Sequence, residues 1–125
     1  MIRRALLFGN TYGLSGVKKD LENFSNFLQS DIGGGWLQSE IDNVEDISKS
    51  NLNAKLTSLK NMNPDLLFIL FSGHGGQERK TILELNPRGE TIIENELRNI
   101  AKRQINIYDC CRAYPEVMNK GVVTF

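Results

Sequence analysis

Leu66-Leu67-Phe68-Ile69-Leu70-Phe71 is an unbroken apolar run between Pro64-Asp65 and Ser72-Gly73. A run this short, with no polar residue in alternation, reads as a strand buried on both faces. Such a strand needs neighbours on its edges and helices over its faces, which points to a parallel sheet. Ala5-Leu6-Leu7-Phe8, stopped by Gly9-Asn10, is a shorter run of the same kind, and Ile105–Tyr108 reads as another short strand. Helical spacing fills the intervals. Val17 to Gln29 sets Val17, Leu21, Phe24, Phe27 and Leu28 on one side and Lys18, Lys19, Glu22 and Asn26 on the other. Ser48 to Asn61 carries Leu52, Leu56 and Leu59 inward, with Pro64 just beyond. Trp36 to Val44 has room for a short strand. Thr81–Leu85 and Glu90–Ile93 flank Asn86-Pro87-Arg88-Gly89, a hairpin signal, and Glu94 to Arg103 reads as a third helix. The order predicts one α/β domain over residues 1–125, a mainly parallel sheet with helices on both faces.

Charge and cysteine usage exclude several functions. Fifteen basic residues balance fifteen acidic ones, so no global field draws the chain to nucleic acid or an anionic membrane. Leu66–Phe71 is far too short to span a bilayer, and the apolar run after Arg3-Arg4 is too short for a signal peptide. The two cysteines, Cys110 and Cys111, are adjacent, and neighbouring cysteines strain the peptide between them if they pair. With one histidine they also fall short of a structural zinc site, so no metal is expected. A reducing, cytoplasmic setting is the expectation.

Sites in such sheets form beyond the carboxyl ends of the strands. Three segments leave those ends: Gly9-Asn10-Thr11-Tyr12-Gly13, Ser72-Gly73-His74-Gly75-Gly76-Gln77 and Asp109-Cys110-Cys111-Arg112. The sole histidine and both thiols therefore belong to one sheet edge. A cysteine attacks as its thiolate, and a nearby imidazole can take its proton. Backbone N–H groups of Gly73 and Cys111 are natural donors to an oxyanion.

Each residue also has an ordinary reading. A histidine among glycines is commonly a turn residue, and a cysteine after a buried strand is commonly core. Strand alternation lets only one of Cys110 and Cys111 pack inward. What favours chemistry is the meeting of both segments at neighbouring strand ends. Gly33-Gly34-Gly35 and Gly73-His74-Gly75-Gly76 could instead cradle phosphate, but neither carries a Walker or dinucleotide-binding pattern. A flavodoxin-like ligand-binding domain has the fold pattern alone in its favour.

Leu67-Phe68-Ile69-Leu70-Phe71-Ser72-Gly73-His74-Gly75 resembles the histidine strand and loop of the caspase-like cysteine peptidases. Ile107-Tyr108-Asp109-Cys110-Cys111-Arg112-Ala113 resembles their cysteine segment, with the histidine 111 − 74 = 37 residues upstream. Aspartate before the cysteines is the metacaspase form. Leu14-Ser15-Gly16-Val17-Lys18-Lys19-Asp20 is similar to the metacaspase segment that opens the first helix, with valine where that segment usually has cysteine. The likeness runs from Ala5 to about Ala113 and most resembles the large, catalytic subunit.

The resemblance implies a three-layer caspase-like (caspase–hemoglobinase) fold, large-subunit portion only. It implies Cys111 as nucleophile, His74 as general acid/base, and Gly75 with Cys111 rather than Gly73 as oxyanion donors. Asp20, Ser72 and Asp109 would bind an arginine or lysine side chain of a peptide or protein substrate. Two carboxylates in a partly desolvated pocket favour such a cation; helix-dipole compensation is the competing role for Asp20. Regulated proteolysis in cell death, stress or defence follows from the same likeness. No cofactor is expected: calcium activation occurs in the family, but past Cys111 the only acid is Glu116. A small-subunit chain or another sheet-edge partner is expected along Ile105–Tyr108. The alternative is an inert caspase-like interaction module that needs such a partner.

Overall fold

The computed structural model describes residues 1–14, 16–77, 80–114 and 117–124, with backbone alone for 77, 111–114 and 117–124. Ser15 of the helix-opening segment, Glu116 and the Cys111 side chain lie outside the described residues. Strands β1 (Arg3–Gly9), β2 (Ile41–Glu45), β3 (Leu66–Gln77), β4 (Thr81–Glu84), β5 (Thr91–Ile93), β6 (Arg103–Tyr114) and β7 (Val117–Thr124) form one sheet. Helices α1 (Val17–Gln29) and α2 (Lys49–Met62) complete the regular elements.

The Leu66–Phe71 run is the centre of the sheet, as its composition requires. β3 runs parallel to β1 on one edge and parallel to β6 on the other, and β2 extends the parallel set beyond β1. The edge shared with β1 ends at Ser72, and from Gly75 onward the antiparallel strand β4 takes it over. β4 pairs in turn with β5.

Alternation along the strands sorts the core into two layers. Leu6, Phe8, Leu67, Ile69, Phe71, Tyr108 and Cys110 face one way and pack with Leu52 and Leu56 of α2. Ala5, Leu7 and Leu70 face the other way and meet Val17, Leu21 and Leu28 of α1. Helices thus cover both faces. Ser48 caps α2 by accepting from the Asn51 N–H at 3.1 Å, and Asn63 ends the helix in the left-handed conformation.

Three expectations need correction. Phe27 is 50% exposed rather than inward, because its ring lies beside Phe24 at the rim of α1. The third helix does not form. Glu94–Leu97 makes a single 3₁₀ turn, Arg98 is extended, and Asn99 turns left-handed at φ 58°. The reason is tertiary. Gln104 of β6 donates to the Leu97 carbonyl and accepts from the N–H groups of Ile100 and Ala101, and Asn106 adds a donor to Leu97 at 3.1 Å. Those side chains do the work of helix hydrogen bonds while Leu97 and Ile100 bury in the core. Lastly, the short strand expected over Ile105–Tyr108 runs on to Tyr114 as β6, and β7 pairs with it antiparallel from Cys110 to Tyr114.

Candidate active site

Sheet register assembles the candidate residues. The β3–β6 pairing continues past the apolar run, so Ser72 stands opposite Asp109 and His74 opposite Cys111. The histidine therefore lies in a strand extension rather than a loop. Ser72 shares the parity of Leu70, on the α1 side of the sheet, and Asp109 shares the parity of Ile107 on that side. Helix α1 supplies Asp20 from its first turn. The Ser72 hydroxyl, 2% exposed, donates to Asp20 Oδ2 at 3.1 Å. Burial holds the Asp109 carboxyl above the usual carboxylate range, and the neighbouring charge of Asp20 pushes it the same way. Two acids and a hydroxyl from three elements thus share one partly desolvated spot, suited to a compact cation.

The cysteines divide. Cys110 is 2% exposed and belongs to the core layer of α2, where its Sγ would lie 3.0 Å from a Cβ placed on Gly75. Cys111 is the register partner of His74. Gly75 lies inside the sheet, opposite Leu83 of β4 and Arg112 of β6. Gly73 holds φ 152°, and a side chain there would meet Phe71 and the backbone of Asn10.

The sequence reading missed what holds the first loop. Thr11 to Leu14 is a β-turn closed at 3.2 Å, with Gly13 at φ 71°, a left-handed value that suits glycine. A Cβ on Gly13 would stand 3.8 Å from His74 Nε2, so the turn lies against the imidazole. Fully buried Asn10 anchors it: its N–H donates to the Ser72 carbonyl, its amide to Glu84, and its side-chain oxygen accepts from the Tyr12 N–H. Asp46, just past β2, accepts from both the N–H and the hydroxyl of Thr11 at 2.8 Å. The usable signal was an acid at the carboxyl end of a strand, Glu45-Asp46, which ending that strand at Val44 left in a loop.

Gly33–Gly35 is no phosphate cradle. The carbonyls of Gly34 and Gly35 accept from the Arg3 guanidinium, which also pairs with Glu40 and lies over Trp36. A groove of about 400 Å³ near the amino ends of β1 and β2 includes Arg4, Glu40, Asp42 and Lys55. It lies at the end of the sheet away from Ser72, and its acids are paired with Arg3 and Lys55. Among the described residues no cluster of three or more His, Cys, Asp or Glu could hold a metal ion, and no helix is long and apolar enough to cross a membrane.

A mixed sheet with a parallel centre between helices, carrying the histidine and cysteine segments side by side on neighbouring strands, defines an α/β fold of the caspase type. The caspase domain family model matches residues 2–123, and the chain belongs to that family. No curated protein matches the chain in a sequence search. Membership brings a cysteine peptidase-like function acting on protein substrates.

Proposed function

We propose that the chain is the large-subunit portion of a cysteine endopeptidase that cleaves after arginine or lysine. One observation carries the reading. Ser72 and Asp109, with Asp20 of α1 bonded to Ser72, lie two positions before the His74–Cys111 pair on the same two strands. That is about 7 Å along a strand, a spacing that lets one residue place its charged end in the pocket and its carbonyl at the thiol.

With Cys110 committed to the core, Cys111 is the thiol left for chemistry. His74 takes the thiol proton, and the thiolate adds to the carbonyl carbon of the scissile peptide. The resemblance assigns the oxyanion to backbone N–H groups of Gly75 and Cys111, which must leave their strand pairing to receive it. Collapse expels the amine, which takes the proton from His74, and leaves a thioester. Water, deprotonated by His74, hydrolyses the thioester and restores the thiol. The chemistry calls for no cofactor and suits a reducing, cytoplasmic setting with a role in regulated proteolysis. A small-subunit strand would complete the sheet along Ile105–Asp109, ahead of the β7 pairing, where Ile105 is 49% exposed.

The test is labelling with an arginine-directed, thiol-reactive inhibitor followed by mass mapping. Modification at Cys111, with loss of arginine-reporter hydrolysis in Cys111→Ala, supports the reading. Full activity in Cys111→Ala overturns it.

A further inference from the structure

We propose that Asp46 is a positioning residue for His74, acting through Thr11 and the turn that ends at Leu14. The inference rests on the catalytic reading of His74, but its structural half is tested separately. Asp46 makes no hydrogen bond to His74 among the described residues; it bonds instead to Gly9 at the end of β1 and to Thr11 just beyond it. Its backbone N–H donates to the Gly9 carbonyl at 2.8 Å. Its two carboxylate oxygens receive the N–H and the hydroxyl of Thr11, each at 2.8 Å. Its φ of 54° is a left-handed conformation that costs a non-glycine residue energy, so the surrounding bonds must hold it.

The consequence lies one turn further on. Thr11 opens the turn that Leu14 closes, and Gly13 at its tip meets the Nε2 edge of His74. Asn10 pins the same segment from the opposite side, against β3 through Ser72 and against β4 through Glu84. The turn is therefore clamped between β2, β3 and β4. Asp46, just past β2, supplies the carboxylate side of the clamp. Releasing it frees Gly13 to withdraw from the ring and lets the imidazole rotate. A charged acceptor with two donors at 2.8 Å is a strong anchor, and misplacement of a reacting group by about 1 Å is enough to slow chemistry severely.

His74 is the only histidine, so its ring gives one set of NMR signals. Asp46→Ala is expected to move or broaden those signals and to slow labelling of Cys111 by the arginine-directed inhibitor about tenfold. Thr11→Val, which removes only the hydroxyl leg, should move them less and in the same direction. Glu45→Ala, on the exposed neighbour, should leave them in place. Ring signals unmoved in folded Asp46→Ala overturn the proposal, as do unmoved signals in Thr11→Val if Asp46→Ala does not fold. If the signals move but the unmodified protein is never labelled, the clamp stands and the peptidase reading fails.

Discussion

The Ser72 hydroxyl donates to Asp20 Oδ2 at 3.1 Å, tying the middle of the central strand to the first turn of α1 across 52 positions of sequence. The contact braces helix against sheet and also holds one carboxylate of the proposed pocket in place. Asp20→Asn keeps the shape and removes the charge. A hydrogen-bonded charge contributes about 1.5–3 kcal/mol. The expected loss in kcat/KM on arginine reporters is therefore about ten- to hundredfold, with the melting temperature changed little. Steady-state kinetics beside a thermal melt separate the two effects.

Asp109 makes the empty pocket pH-sensitive. Burial, then the charge of Asp20, raises its folded-state pKa above the unfolded value. The folded chain thus holds this proton more tightly than the unfolded chain. Its contribution is fully favourable at acid pH below the unfolded value and is lost as pH rises through the folded value. Asp109→Asn should flatten that part of the stability curve and raise stability at neutral pH. Thermal melts of both proteins across the acid range, without ligand, check the sign. A bound guanidinium reverses it: a ligand such as agmatine should bind more tightly as Asp109 ionises and release a proton on binding in that range.

Gly75 and Cys110 share one small space. A Cβ on Gly75 would sit 3.0 Å from Cys110 Sγ and 3.1 Å from the Ile82 carbonyl. Gly75→Ala should destabilise by about 1–3 kcal/mol through overpacking. Cys110→Ala removes one of the two obstacles, so the double variant should be more stable than the sum of the singles predicts. Urea denaturation of the four proteins measures the coupling, expected at about 0.5 kcal/mol or more.

Gln104 decides the path from β5 into β6. It serves Leu97, Ile100 and Ala101 at once. Gln104→Ala strands the N–H groups of Ile100 and Ala101, leaves Leu97 to Asn106 alone, and should cost about 1–3 kcal/mol. Amide exchange should quicken at Ile100 and Ala101 first, and unchanged exchange there would count against the role given to Gln104.

Much of this was legible in one dimension. The span of α1 follows from apolar spacing, and α2 is shifted by one residue because Ser48 is its cap. The hairpin at Asn86–Gly89 follows from its turn residues, and Gly89 donates to the Asn86 carbonyl as expected. The Glu94–Arg103 segment misled because helix propensity there is real but is outweighed by side chains arriving from Gln104 and Asn106. Phe27 misled because helical spacing places a residue on a face without saying where the face ends.

Local pattern by itself determined most of the alternation of strands and helices and placed the sole histidine and the two thiols just past the apolar runs of two strands. Those are short-range properties: a run of apolar residues, a 3.6-residue period, a turn-forming tetrapeptide. Register was beyond it, because pairing depends on which strand lies beside which. Only the tertiary structure set His74 opposite Cys111, sent Cys110 into the core, brought Asp20 to Ser72, and clamped Thr11 with Asp46. Each of those depends on contacts between residues far apart in the chain, and such contacts exist only once the sheet has closed around β3.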